Sequence, residues 1–209
     1  MVNSRLRIRF GKQGDLRWLG HRDLMRAWER TFRRAGIGLR MSEGFHPRPR
    51  LVFPSALALG VAGIDEVLDA ELDDERSPAD VRAALESQLP PGLSVRSVEP
   101  LPASRKSARV GRQRFELEIP PERQSRLAER VGEFLAEPVR LVPRSDGRDP
   151  VDARPLVEEL RLDEGRLRIV MRASTEGGIR PRDLLAALEL EDLEQQGVLL
   201  TRTAVELEE

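Results

Sequence analysis

Twice along this chain, a stretch of alternating apolar and polar residues leads into a helix-spaced stripe, then into further strands, a proline-opened helix and a closing strand. This recurring order constrains the fold more than any motif, because strands of period two and helices of period 3.6 must bury their apolar faces against one another. In the first half "RLRIRF" sets Leu6, Ile8 and Phe10 against Arg5, Arg7 and Arg9, a half-buried strand whose outer face is arginine. A helix from about Arg22 to Ala35 follows, with Leu24, Met25, Trp28, Phe32 and Ala35 as its buried stripe and Gly36 ending it. A strand within 51–61, another in "EVLDAELD", a helix capped by Ser77 and running to Leu89, and a last strand in "LSVRSVEPL" complete this half. The second half reads as a strand in "FELEIP", a helix in "PERQSRLAERVGEFLA", a strand in "PVRLVP", a hairpin turning at "DEG", a helix in "RPRDLLAALEL" and a strand in "LLTRTAVELE". The order predicts an α+β fold of two tandem ferredoxin-like βαββαβ halves with antiparallel sheets. Residues 1–103 form the first domain and 114–209 the second. Between them, 104–113 is basic, lacks apolar periodicity and reads as a linker.

Charge nearly cancels over the chain, with 35 basic and 36 acidic residues, but it is unevenly distributed. Residues 1–50 hold thirteen basic side chains against four acidic ones, and the following fifty reverse the sign. Cysteine is absent, which excludes disulfides, zinc–thiolate sites, iron–sulfur ligation and a cysteine nucleophile within these residues. The N-terminus lacks the apolar core of a signal peptide, and no run approaches the roughly 18 apolar residues of a membrane span. A cytoplasmic protein without membrane contact is expected.

Arg22, Arg26, Arg30 and Arg33 recur at helical spacing and form a guanidinium ridge beside the buried stripe. "SEGFHPRPR" reads as a stiff basic loop in which Gly44 supplies a permissive backbone, Pro47 and Pro49 rigidify, and Phe45, His46, Arg48 and Arg50 are presented together. With Arg7 and Arg9 these cations form a candidate nucleic-acid surface. A structural alternative makes the loop a turn whose Phe45 plugs the core. His21, immediately before the helix, has three readings: a capping cluster in which Gly20 or His21 takes the cap and Asp23 the first turn, with the imidazole bonded to a nearby backbone group; a general acid–base catalyst; or an RNA contact. His21, Asp23, Glu43 and His46 match no recognised metal-ligand spacing, and neither a glycine-rich phosphate loop nor a nucleophile elbow is present, so no metal or cofactor is expected.

The run from "GDLRWLGHRDLMRAWERTFRRAG" through "SEGFHPRPR" to "DAEL" resembles the radical SAM-linked protein family, a bacterial domain of unknown function. The pattern of a "LSHxDL" helix start, an "ER…RRA" helix and "S-x-GF-x-P-x-P" carries over to His21, Asp23, Leu24, Arg26, Glu29, Arg30, Gly44, Phe45, Pro47 and Pro49. It departs at Gly20, where serine is expected. The resemblance implies a separately encoded radical SAM protein as partner and leaves the redox chemistry to that partner. The function expected is therefore a non-catalytic RNA-binding accessory protein of a radical SAM enzyme acting in RNA modification. The alternatives are a histidine-dependent endoribonuclease that uses His21, and a protein–protein adaptor with no nucleic-acid role.

Overall fold

The computed structural model describes residues 4–102, 108–173 and 178–208, and the chain divides into two compact units, 1–109 with the final two residues, and 110–207. The first unit runs β1 (Arg5–Lys12), α1 (His21–Arg34), β2 (Leu51–Val52), β3 (Ala62–Glu71), α2 (Pro78–Glu86) and β4 (Leu93–Leu101). Its strands lie in the order β4-β1-β3-β2, each antiparallel to its neighbour. Alternation along β1 buries Leu6, Ile8 and Phe10 against Leu24, Trp28 and Phe32 of α1 and Val81 and Leu85 of α2. Gly36, at φ 65°, closes α1: its N–H donates to the Arg33 carbonyl, and the Ile37 N–H donates to that of Phe32 at 3.0 Å.

Three expectations for this unit change. The strand sought in 51–61 shrinks to two residues, because Pro54 cannot donate to a ladder and the chain turns away before Gly60 at φ 83°. The helix capped by Ser77, whose hydroxyl accepts from the Asp80 N–H at 3.1 Å, stops at Glu86 rather than Leu89. Ser87 Oγ donates back to the Ala84 carbonyl there, and two prolines follow. The arginine face of β1 is not a basic surface. Arg7 Nε and its terminal nitrogen both donate to Asp69 at 2.8 Å, Arg9 donates to Asp65 at 2.6 Å, and Arg5 pairs with Glu71 at 3.6 Å, all across the β1–β3 ladder.

The second unit runs β5 (Val110–Glu118), α3 (Pro121–Ala136), β6 (Leu141–Val142), β7 (Val151–Asp152), β8 (Val157–Asp163), β9 (Arg166–Arg172), α4 (Pro181–Ala187) and β10 (Thr201–Leu207). Its sheet order is β10-β5-β9-β8, again antiparallel throughout. The hairpin at "DEG" turns on Glu164 and Gly165, both at positive φ, the backbone that a two-residue β-turn requires. The strand expected in "PVRLVP" reduces to β6, which pairs with β7 in a separate ribbon. The linker stretch also needs revision: 103–107 lie outside the described residues, while 110–113 already belong to β5. Arg112 there pairs with Glu158 of β8, and Arg114 further along β5 pairs with Glu206 of β10, so these two charges belong to ion pairs across the sheet of the second unit. The architecture is mixed α+β with mostly antiparallel sheet. Among the described residues, no helix is long and apolar enough to cross a membrane.

Candidate functional site

Helix α1 buries Leu24, Ala27, Trp28, Thr31 and Phe32, with Trp28 edge-on to Phe10 at 5.1 Å. The expected stripe is thus shifted: Met25 and Ala35 are only partly buried, and Ala27 and Thr31 take core positions. The opposite side exposes Arg22, Arg26, Arg30, Arg33 and Arg34. Arg33 and Arg34 occupy the last turn, where cations complement the helix dipole.

The candidate cations separate sharply by their partners. Arg7 and Arg9 are committed to β3 carboxylates, and Arg50 donates to Glu71 at 3.1 Å. Arg26 makes only a long, exposed contact of 3.5 Å with Asp23. Among the described residues, Arg22, Arg30, Arg33, Arg34, Arg40 and Arg48 have no carboxylate within ion-pair distance. The outer side of α1 is therefore where uncompensated positive charge concentrates in the first unit, on side chains that are exposed to solvent.

His21 does not cap α1. Gly20 is the N-cap and Asp23 stands in the first turn, as one form of the capping reading has them, while the Asp23 carboxylate makes a long contact of 3.5 Å with Arg26. The turn before the helix is held by Lys12, 1% exposed, whose Nζ donates to the Leu19 carbonyl at 2.7 Å and the Arg17 carbonyl at 3.3 Å. The His21 ring packs edge-on against Phe53, with centroids 5.5 Å apart. Sequence reading missed both Lys12 and Phe53. Among the described residues, no three His, Cys, Asp or Glu side chains gather as a metal ion would need.

The "SEGFHPRPR" segment forms a closed finger. The Arg40 N–H donates to the Glu71 carbonyl at 2.8 Å, the Glu71 N–H to the Arg50 carbonyl at 3.1 Å, and the Arg50 N–H to the Arg40 carbonyl at 2.8 Å. Met41 bridges Pro49, the Ser42 N–H donates to the Arg48 carbonyl at 2.8 Å, and the Arg48 N–H donates to Ser42 Oγ at 3.0 Å. Phe45 does not plug the core; it is fully exposed at the tip, beside exposed His46, Pro47 and Arg48, with Pro49 half-buried at the base.

In the second unit an open cleft of about 430 Å³ lies between α3 and the turn after α4. It is lined by Arg123, Arg126 and Arg130, but these already have acidic partners: Arg123 pairs with Asp192, and Arg126 and Arg130 share Glu189. The hydrogen bond to Asp192 raises the Arg123 pKa and holds the Asp192 carboxyl below its usual range. This cleft offers an anion no free cation comparable with those of α1.

A family model described as "Uncharacterized protein conserved in bacteria (DUF2344)" matches residues 5–181. No curated protein matches the chain. Among solved structures it is similar to an unknown protein from Galdieria sulphuraria, at 12% identity over 100% of both chains with a TM-score of 0.29. It is also similar to the acetolactate synthase small subunit from Thermotoga maritima, at 12% identity over 100% of this chain and 97% of that one with a TM-score of 0.27. A putative glycine cleavage system transcriptional repressor matches at 11% identity over 97% and 98% of the two chains, with a TM-score of 0.25. Likenesses this loose leave the fold to be read from its own strand order.

Proposed function

The chain belongs to this bacterial family of uncharacterized proteins, and from that premise we propose that it is a non-catalytic RNA-binding accessory protein working with a separately encoded radical SAM enzyme in the cytoplasm. The reading takes both units as ferredoxin-like βαββαβ halves, a plan whose sheet faces and helix edges are suited to RNA. The observation that carries it is the outer side of α1. Arg7, Arg9 and Arg50 are matched to carboxylates, whereas among the described residues Arg22, Arg30, Arg33 and Arg34 are not, and unpaired guanidinium groups along a helix suit a phosphate backbone. The partner proposal rests on the motif residues His21, Asp23, Gly44, Phe45, Pro47 and Pro49, and on the absence of cysteine, which leaves cluster chemistry to the partner.

The test is RNA binding across a salt series, with a 12-nucleotide oligo(U) as probe. Replacing Arg26, Arg30 and Arg33 together by Gln should weaken binding and flatten the logarithmic salt slope by about 2, given roughly 0.7 per lost phosphate contact on a single strand. The same change at Arg123, Arg126 and Arg130, already paired with acids, should leave the slope nearly intact. Equal behaviour of the two triple variants would remove α1 as the site. Failure to bind any RNA, together with co-purification of a radical SAM protein, would favour the adaptor.

A further inference from the structure

The finger at 42–48 is built to hold one aromatic ring outside the protein. Its stem is hydrogen-bonded to β3 through Arg40 and Arg50 and closed by the Ser42–Arg48 pair, so the five residues 43–47 form a short, pinned tip. Gly44 sits at φ 116°, a backbone that side-chain-bearing residues rarely adopt, while nothing lies within 4 Å of where its Cβ would be. Glycine is therefore needed there for the bend and not for space. Pro47 and Pro49 fix φ on the descending arm. The product of this geometry is Phe45 at 102% relative exposure, a phenyl ring that contributes nothing to the core.

Resting on the RNA reading above, we infer that Phe45 is a base-stacking platform and that the ligand is a single-stranded RNA segment. A fully exposed phenyl ring that shares its finger with His46 and Arg48, which have no carboxylate partner among the described residues, matches the two chemistries an unpaired nucleotide offers together: a π-face and a phosphate. A duplex hides its base faces and offers only the second. Pro47 at the tip and Met41 on the stem are the other exposed apolar side chains of the finger, but they are interleaved with the ionisable Glu43, His46 and Arg48, a mixture that favours a nucleotide over an apolar protein groove, and the leucine variant below separates the two.

The experiment compares the wild-type chain with F45A, F45L and F45W, using fluorescence anisotropy on oligo(U) of 12 nucleotides and on a 12-base-pair RNA duplex. F45A should weaken oligo(U) binding by roughly 5- to 100-fold, the loss of one stacked base. F45L should stay as weak as F45A, F45W should restore binding, and the salt slope should hold throughout because no phosphate contact is lost. Duplex affinity should be the same for all four proteins. Thermal unfolding should also coincide, since the ring is not in the core. Unchanged oligo(U) binding in F45A, an equal loss on duplex, or rescue by leucine, the mark of an apolar protein anchor, would each overturn the inference. If the α1 triple variant loses binding while F45A does not, stacking alone falls. If the wild type binds neither probe, the RNA reading falls with it.

Discussion

Arg7 and Asp69 are 8% and 7% exposed, and two parallel N–H···O bonds of 2.8 Å join the guanidinium to the carboxylate. Removing one member of such a pair leaves the other charge buried without compensation, which costs about 3–5 kcal/mol, whereas replacing both by apolar groups is often nearly neutral. Asp69→Ala should therefore lower unfolding free energy by about 3–5 kcal/mol, measured by urea denaturation, and the double variant Arg7→Met, Asp69→Leu should recover most of it. A loss below about 1 kcal/mol would mean that Arg7 finds water when unpaired, and would return it to the set of anion-binding candidates. The pair was partly legible in advance. Asp65, Asp69 and Glu71 share one parity on β3 just as Arg5, Arg7 and Arg9 do on β1, but each strand read alone shows only a charged face. What joins them is register, and register is a property of the pairing, where a slip of one residue would turn every carboxylate to the other side.

Helix α1 shows the same division one level up. Leu24, Trp28 and Phe32 declare themselves as a buried stripe because helical period is local, and the Gly36 stop is local too. How the helix starts is not local. The preceding turn is fixed by a lysine on β1, and His21 is packed by a phenylalanine 32 positions later, so neither contact can be seen without the tertiary fold. The outward ridge of arginines is legible as spacing, but what separates it from the paired arginines of β1 is that, among the described residues, Arg22, Arg30 and Arg33 have no carboxylate partner and Arg26 has only a long, exposed contact with Asp23. His21 serves α1 through its ring contact, which predicts that His21→Phe keeps both stability and RNA affinity. His21→Ala should lose about 0.5–1.5 kcal/mol, the usual value of an aromatic pair, in thermal or chemical unfolding. RNA cleavage by the purified wild-type chain that both variants abolish would instead give His21 a proton-transfer role and the endoribonuclease reading its first support.

Across the whole molecule, acids and bases are almost equal in number and, among the described residues, most arginines lie within ion-pair distance of a carboxylate, so the surface pairs of the second unit make its stability sensitive to acid. Glu158 of β8 is held below the usual carboxylate range chiefly by the hydrogen bond from Arg172, against some desolvation, with Arg112 adding to the effect. Asp192 is lowered by Arg123, and Asp146 by the backbone N–H of Arg148. A carboxyl whose folded pKa lies below its unfolded value stabilises the protein fully above the unfolded value, about 4, and loses that contribution as pH falls through the folded one. The unfolding temperature should accordingly be flat between about pH 7 and 5 and drop below about pH 4. Because these groups are largely solvated, roughly 1 M salt should shrink the drop by screening the pairs. Glu158→Gln should lower the neutral-pH plateau slightly and flatten the acid limb, since one titrating contribution is gone. An acid limb as steep in the variant as in the wild type would show that Glu158 is matched in the unfolded state and that the acid sensitivity lies with other carboxylates.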